Sequence, residues 1–377
     1  MNLFEEQNTD TQAVLTQDQG LLPPRESSLH LGGAAQERLF LGLYNRDALP
    51  HAMIFSGPEG VGKTTMAFRL ARFLLKHGKE DEAQDHLFGD AAPKVTPETL
   101  DIPSDDPVFS RVASGGHADL LVVQRAFDEK KGRFKGALDV ETLRKVEPFL
   151  RKTASEGGWR IVLIEGADTM NLSAQNAILK ILEEPPANVL IILIAHKAGN
   201  LIPTIHSRCR KIDFSPLSSE VMEELLRRHG FTFSQEELET LSALSAGSIG
   251  QALRFAEEDG LETLFQIYKY LAYMPQWDWV KIHKLSETLS PPSQDKAYKM
   301  FAMLFQWVFR QVLFAKARGH NSLPSYLKKS GLETYLQKSS LENLVKTCDA
   351  LQTHFARTEF SNLDRREAVR GAFALLS

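Results

Sequence analysis

Residues 57–64 read GPEGVGKT, which satisfies the spacing G-x-x-x-x-G-K-[ST] in full. The chemistry this pattern serves is phosphate binding. Glycines at Gly57, Gly60 and Gly62 let backbone N–H groups turn inward around an anion. A helix opening just after them adds partial positive charge at its N-terminus. Lys63 is placed to reach the outer phosphates of a nucleotide, Thr64 to meet Mg²⁺, and Thr65 continues the cradle. ATP with Mg²⁺ is the ligand such a loop would take.

Hydrolysis needs more than a cradle. A second strand should end in an acid that holds the metal, with a neighbouring acid to polarise water. The apolar stretch RIVLIEG at 160–166 is the one downstream strand whose end carries an acid in that way. It offers Glu165 and then Gly166, which has no side chain. Glu165 either assists Mg²⁺ or is a strand-end acid in solvent. Asp168 follows two residues on, where the chain should be turning away. Nucleotide binding without efficient hydrolysis is therefore expected.

The elements around these residues follow from periodicity. AMIFSG at 52–57 is a short apolar run ending at a glycine, which predicts a buried parallel strand. TTMAFRLARFLLKHG at 64–78 has helical spacing and a glycine stop. Residues 34–46 also read as a helix, and 78–117, rich in Asp, Pro, Gly and Ser, as a loop. ADLLVVQ at 118–124, RIVLIEG and NVLIILIAH at 188–196 read as strands. Between them, 138–154 and 173–186 read as helices, the second stopped by Pro185 and Pro186. Alternation of this kind predicts an α/β fold, a parallel sheet with helices on both faces. After Pro216 only helical patterns follow. MFAMLFQWVFRQVLFAKA at 300–317 is apolar on most faces, as in a bundle or interface.

Bulk properties narrow the functional classes. The chain has 377 residues, enough for two or three domains, with 43% hydrophobic and 24% charged residues. Its net charge of −4 argues against wrapping nucleic acid unaided; any such contact would need a local patch or borrowed charge. Two cysteines, Cys209 and Cys348, make neither a disulfide framework nor a four-cysteine zinc site. The first 25 residues are polar and without an apolar segment of the signal-peptide kind, and no run approaches the ~20 residues that span a bilayer. A cytoplasmic protein with no membrane contact is expected.

NAILKILEEPP at 176–186, followed by LIPTIHSRC at 201–209 and preceded by GGWRIVLIEGADTMNLSAQ, resembles the clamp-loader branch of the AAA+ family. LEEPP with SRC at this separation is the specific part. The match runs from about residue 30 to 255, with a weaker echo in FSNLDRREAVRGAFALL at the C-terminus. The resemblance implies a P-loop AAA+ domain at 29–215 after a polar tail at 1–28. It implies a small helical lid at 216–262 and an all-α collar for oligomerisation at 263–377. It implies a hetero-pentamer with motor subunits of the gamma/tau kind and a delta subunit, acting on a sliding clamp and primed DNA. In that family the arginine of SRC, here Arg208, reaches in trans into the neighbour's nucleotide site. A subunit that lends an arginine need not turn over its own nucleotide, which is what Glu165-Gly166 suggests here.

Three departures from the family's motor subunits bear on this. They carry Asp-Glu where this chain has Glu165-Gly166. Their lid carries a phosphate-sensing arginine where Gly250 stands. Many relatives have a four-cysteine module after the P-loop helix, and 78–117 holds no cysteine, so no zinc is expected. The competing readings are a gamma/tau-like motor ATPase of the same branch and an unrelated P-loop kinase. Lys130, Lys131, Arg133 and Lys135 form a basic run that serves either DNA phosphates or only solvent. Phe305, Trp307 and Phe309 are for core packing or subunit contact rather than base stacking. His51 either lines an adenine pocket or ends a helix.

Overall fold

The computed structural model describes residues 22–28, 30–78, 96–128, 133–134, 136–156, 158–320, 322–330, 332–361 and 364–376. The tail up to residue 21, most of the stretch after the P-loop helix, and Lys130, Lys131 and Lys135 of the basic run lie outside them. Two compact units are present. The first comprises Met1–Val221 with Ser248–Gly250, the second Met222–Gly247 with Gln251–Ser377.

The first unit is built on a five-stranded parallel sheet. Its strands are β1 (Ala52–Ser56), β2 (Leu120–Val123), β5 (Arg160–Glu165), β6 (Val189–Ala195) and β7 (Arg210–Asp213), ordered β2-β5-β6-β1-β7. The expected α/β class is what the chain adopts. The three apolar strands β1, β5 and β6 are buried on both faces because alternate residues enter two separate cores. Met53, Phe55, Ile161, Leu163 and Ile192 face one core, and Ile54, Val162, Ile164, Ile191 and Leu193 the other. Helices α1 (Ala34–Tyr44) and α2 (Lys63–His77) pack in the first core.

Two local readings are corrected, and two further elements are added. Within the expected loop, α3 (Pro107–Ala113) forms, with Asp106 capping the Val108 amide and Pro107 in the first turn. The single helix read at 138–154 is two short ones, α4 (Val140–Leu143) and α5 (Val146–Leu150). The charged loop after β2 contains a hairpin, β3 (Phe127–Asp128) with β4 (Arg133–Phe134). Strand β7 was not legible, because RKID is a charged edge strand exposed at three of four positions. Helix α6 (Leu172–Glu183), capped by Asn171, and the short α7 (Pro203–His206) complete the unit, with part of α8 (Ser219–Arg228).

The second unit is helical. It takes in the rest of α8, α9 (Gln235–Ser245), most of α10 (Ile249–Glu257), α11 (Gly260–Leu271), α12 (Trp279–Leu289), α13 (Asp295–Ala317), α14 (Leu332–Lys338), α15 (Leu341–Ser361) and α16 (Arg365–Ala374). Ser234 and Glu237 close a capping box at the start of α9. Phe301, Phe305 and Phe309 of α13 are buried with Phe373 of α16, and Trp307 packs on Tyr326. The phenylalanines are core, and Trp307 is half-buried.

Candidate functional site

In a parallel sheet every strand ends on the same edge, and β1, β5 and β6 bring three loops together there. Ser56 is level with Ala195, and Glu165 with Ile194. The glycine loop after β1, the Glu165-Gly166 turn and the residues after β6 therefore share one crevice edge, the usual place for a ligand in such folds.

The loop's shape depends on two glycines. Gly60 has φ +76°, and a Cβ there would lie 2.0 Å from Ser248 Oγ; its carbonyl accepts from the Ile249 amide at 3.2 Å. Gly62, at φ +88°, turns the chain into α2, whose N-terminus has no side-chain cap. That end is left for an anion. A side chain on Gly57 would meet the Phe214 carbonyl at 2.2 Å. Thr64 and Thr65 are half-buried in the first turn of α2.

Lys63 is only 2% exposed. Its ammonium donates to the Gly57 carbonyl at 2.7 Å and to the Pro58 carbonyl, and it meets His196 Nδ1 at 3.2 Å. Burial pulls its pKa down to about 8, against the opposing charges of Asp168 and Glu59. An uncapped helix start, a side-chain-free turn and a desolvated cation fit a nucleotide's phosphates.

The acids are arranged differently. Glu165 is half-buried, and burial raises its carboxyl above the ordinary range, with the Arg25 charge opposing. Gly166 sits at φ +66°, a conformation that disfavours the acid a motor subunit keeps there. Asp168 is occupied: its two oxygens accept from the amides of His196 and Lys197, each at 3.1 Å. It fixes the end of β6. Among the described residues no group of three or more His, Cys, Asp or Glu could hold a metal ion. Gly250 lies against the loop, where a Cβ would be 4.0 Å from Gly60 Cα.

Arg208 is elsewhere. It follows α7 and precedes β7, whose Arg210 is level with Met53 and whose Asp213 is level with Ser56. It thus lies at the opposite edge of the sheet from the glycine loop, beyond roughly 10 Å of strand at ~3.3 Å per residue. Its guanidinium is ion-paired with Glu183 of LEEPP at 2.8 Å and donates to the Thr204 carbonyl at 3.0 Å, with the side chain 33% exposed. Cys209 beside it is half-buried, its thiol pushed up to about 12 by burial, and both cysteines are free.

Sequence reasoning missed His196 and His30. His30 bonds the Gly62 carbonyl through Nε2 at 3.1 Å. His196 was accessible from its place directly after a buried strand beside β1. His51 pairs with the Leu182 carbonyl at 3.1 Å.

A family profile described as DNA polymerase III, delta subunit, matches residues 104–218, which include LEEPP and SRC. The chain is 29% identical over 272 residues to the DNA polymerase III subunit delta′ of Pseudomonas aeruginosa, covering 72% of this chain and 73% of that one. It is 28% identical over 234 residues to the subunit delta′ of Escherichia coli, covering 62% of each. The chain is a relative of the DNA polymerase III delta′ subunits. The matched part is under two thirds of the Escherichia coli protein's length. Among solved structures, a DNA polymerase III gamma subunit-related protein of Thermotoga maritima aligns at 16% identity with a TM-score of 0.39, covering 89% of this chain and 97% of that one. The resemblance read from LEEPP and SRC agrees with these relatives. Among the described residues no helix is long and apolar enough to cross a membrane.

Proposed function

We propose that this chain is the delta′-type stator of a bacterial DNA polymerase III clamp loader. It holds a nucleotide in its own glycine loop without efficient turnover, and lends Arg208 to the nucleotide site of a neighbouring gamma/tau-type subunit. The wider setting is a cytoplasmic hetero-pentamer with a delta subunit, loading a sliding clamp on primed DNA, with no polymerising activity in this chain. The tail, AAA+ domain, lid and collar divide at about 28, 215 and 262 in this reading.

The observation that carries it is the separation of two cationic groups to opposite edges of one sheet. Lys63 can serve a phosphate in its own loop. Arg208 is at the far edge, too far to serve a phosphate in its own loop, so a phosphate that meets it belongs to another molecule's site. Fixed positive charge beside a transferring phosphate lowers the barrier because negative charge is spread there in the transition state. The turn at Glu165-Gly166 supplies no second acid, and Asp168 is already bound to backbone amides. ATP with Mg²⁺ fits the loop through Gly57, Gly60, Gly62, Lys63, Thr64 and Thr65.

The test is nucleotide binding and steady-state turnover by the purified chain, beside Lys63→Ala, followed by reconstitution of the loader with Arg208→Ala. Binding that needs Lys63, negligible turnover alone, and slowed turnover in the assembly with Arg208→Ala are expected. Steady turnover by the isolated chain that Lys63→Ala abolishes would support the motor reading instead.

A further inference from the structure

His196 is an exposed residue at the end of a fully buried strand, and its ring meets the buried Lys63. Nδ1 can accept the ammonium's hydrogen bond only while unprotonated, which puts the ring proton on Nε2. The backbone beneath the ring is held by Asp168, so the ring's position is built rather than incidental. Lys63 is otherwise tied to two carbonyls of its own loop. It must leave partners to meet a phosphate.

We propose that His196 is a proton-linked positioning residue of the phosphate site. Neutral, it holds Lys63 back; when a phosphate draws Lys63 away, the ring takes up a proton and becomes a second cation facing the anion. This rests on the glycine loop binding a nucleotide, as proposed above. Four charged groups from the surrounding elements face the ring: Lys63 of α2, Glu59 of the loop, Asp168 after β5 and Arg125 after β2. Burial and the Lys63 and Arg125 charges favour the neutral ring, while Glu59 and Asp168 oppose them. An arriving phosphate adds negative charge on the solvent side and releases Lys63, so both changes favour the protonated ring. Binding is therefore coupled to proton uptake, and affinity strengthens as pH falls toward 6.

The experiment is calorimetric titration of the full chain with Mg²⁺ and ATP at pH 6, 7 and 8, in pairs of buffers with different ionisation heats. Wild type is compared with His196→Gln, His196→Asn and Lys63→Ala. Titration of the ATP phosphates themselves is common to all four proteins and cancels in the comparison. Wild type is expected to take up a proton and to gain affinity on going from pH 8 to 6, by about tenfold for each pKa unit the ring rises on binding. Both His196 variants are expected to keep only the pH dependence that Lys63, itself near 8, supplies, and to lose the remainder below pH 7 while still binding. Variants that keep the wild-type profile and proton uptake, with binding still dependent on Lys63, overturn this inference alone. Binding that is absent, or indifferent to Lys63→Ala, overturns the phosphate-site reading and this inference with it.

Discussion

Lys63 and Arg208 are both cations at the edges of one sheet, and they are held in opposite ways. Lys63 is enclosed, desolvated and bonded to carbonyls of the loop that precedes it. Arg208 is partly exposed, with one carboxylate, one carbonyl and the Ser207 hydroxyl as partners. A buried ammonium is costly to keep unless something compensates it, and an anion in the loop is the natural compensation. A half-exposed guanidinium paired with one surface glutamate gives up little when it changes partner, because such pairs contribute only about 0–1 kcal/mol. In the proposed function, one edge of the sheet retains a ligand and the other offers a side chain.

The largest effect should come from the offered side. Arg208→Ala in the reconstituted loader is expected to slow ATP turnover by roughly 10³-fold or more, the range for an arginine supplied in trans. Nucleotide binding by the isolated chain should not change. A loader that turns over ATP and loads clamps normally with Arg208→Ala would break the comparison at this point. Next comes the retaining side. Lys63→Ala should weaken nucleotide binding by the isolated chain roughly 10- to 100-fold, the loss of a charge-assisted hydrogen bond to phosphate. Equilibrium titration reads this directly.

How much of this was legible in the sequence follows the same division. The glycine loop, its strand and its helix were readable because each rests on local rules: spacing, apolar period and the conformations only glycine adopts easily. Strand β7 was not, since a charged edge strand with one apolar residue lacks the run that marked β1, β5 and β6. Helix α3 was hidden by its own cap, because Asp106-Pro107 looks like a turn until the helix after it is seen. His196 and Asp168 are separated by 28 residues, and only the register of β5 against β6 makes them neighbours. Arg208 was readable as a residue, from its motif, but its distance from the glycine loop needed the register of β7.

The third prediction concerns how the retaining edge is braced. Arg72 of α2 is 2% exposed, its guanidinium 4.4 Å from the Phe109 ring centre, and it donates to the carbonyls of Arg25 at 2.9 Å and Ser27 at 2.7 Å. Residues 22–28, grouped by sequence with a polar tail, are thus tied to the helix that opens at Lys63. Arg72→Met keeps the apolar bulk and removes both bonds. It should cost about 2–4 kcal/mol locally, through carbonyls left without partners. Hydrogen exchange at residues 22–28 should quicken while the Arg208 edge keeps its protection. Uniform loss of protection across the unit would mean that the two edges are not separable.

The smallest effect tests the proposed lack of turnover at the retaining edge. Gly166→Glu restores the second acid of the motor subunits. Space permits it, since a Cβ there would meet only the Thr169 side chain, Oγ1 at 3.5 Å and Cγ2 at 3.8 Å. The backbone at φ +66° does not favour it, and a penalty of about 1 kcal/mol is expected in thermal unfolding. Turnover by the isolated chain should stay at background. Glu165 is held toward its neutral form by burial, and the segment against Gly60 presents Gly250, which carries no cation toward the loop. If Gly166→Glu instead gives steady turnover that Lys63→Ala abolishes, one side chain separates stator from motor, and the retaining edge is a motor site lacking a single part.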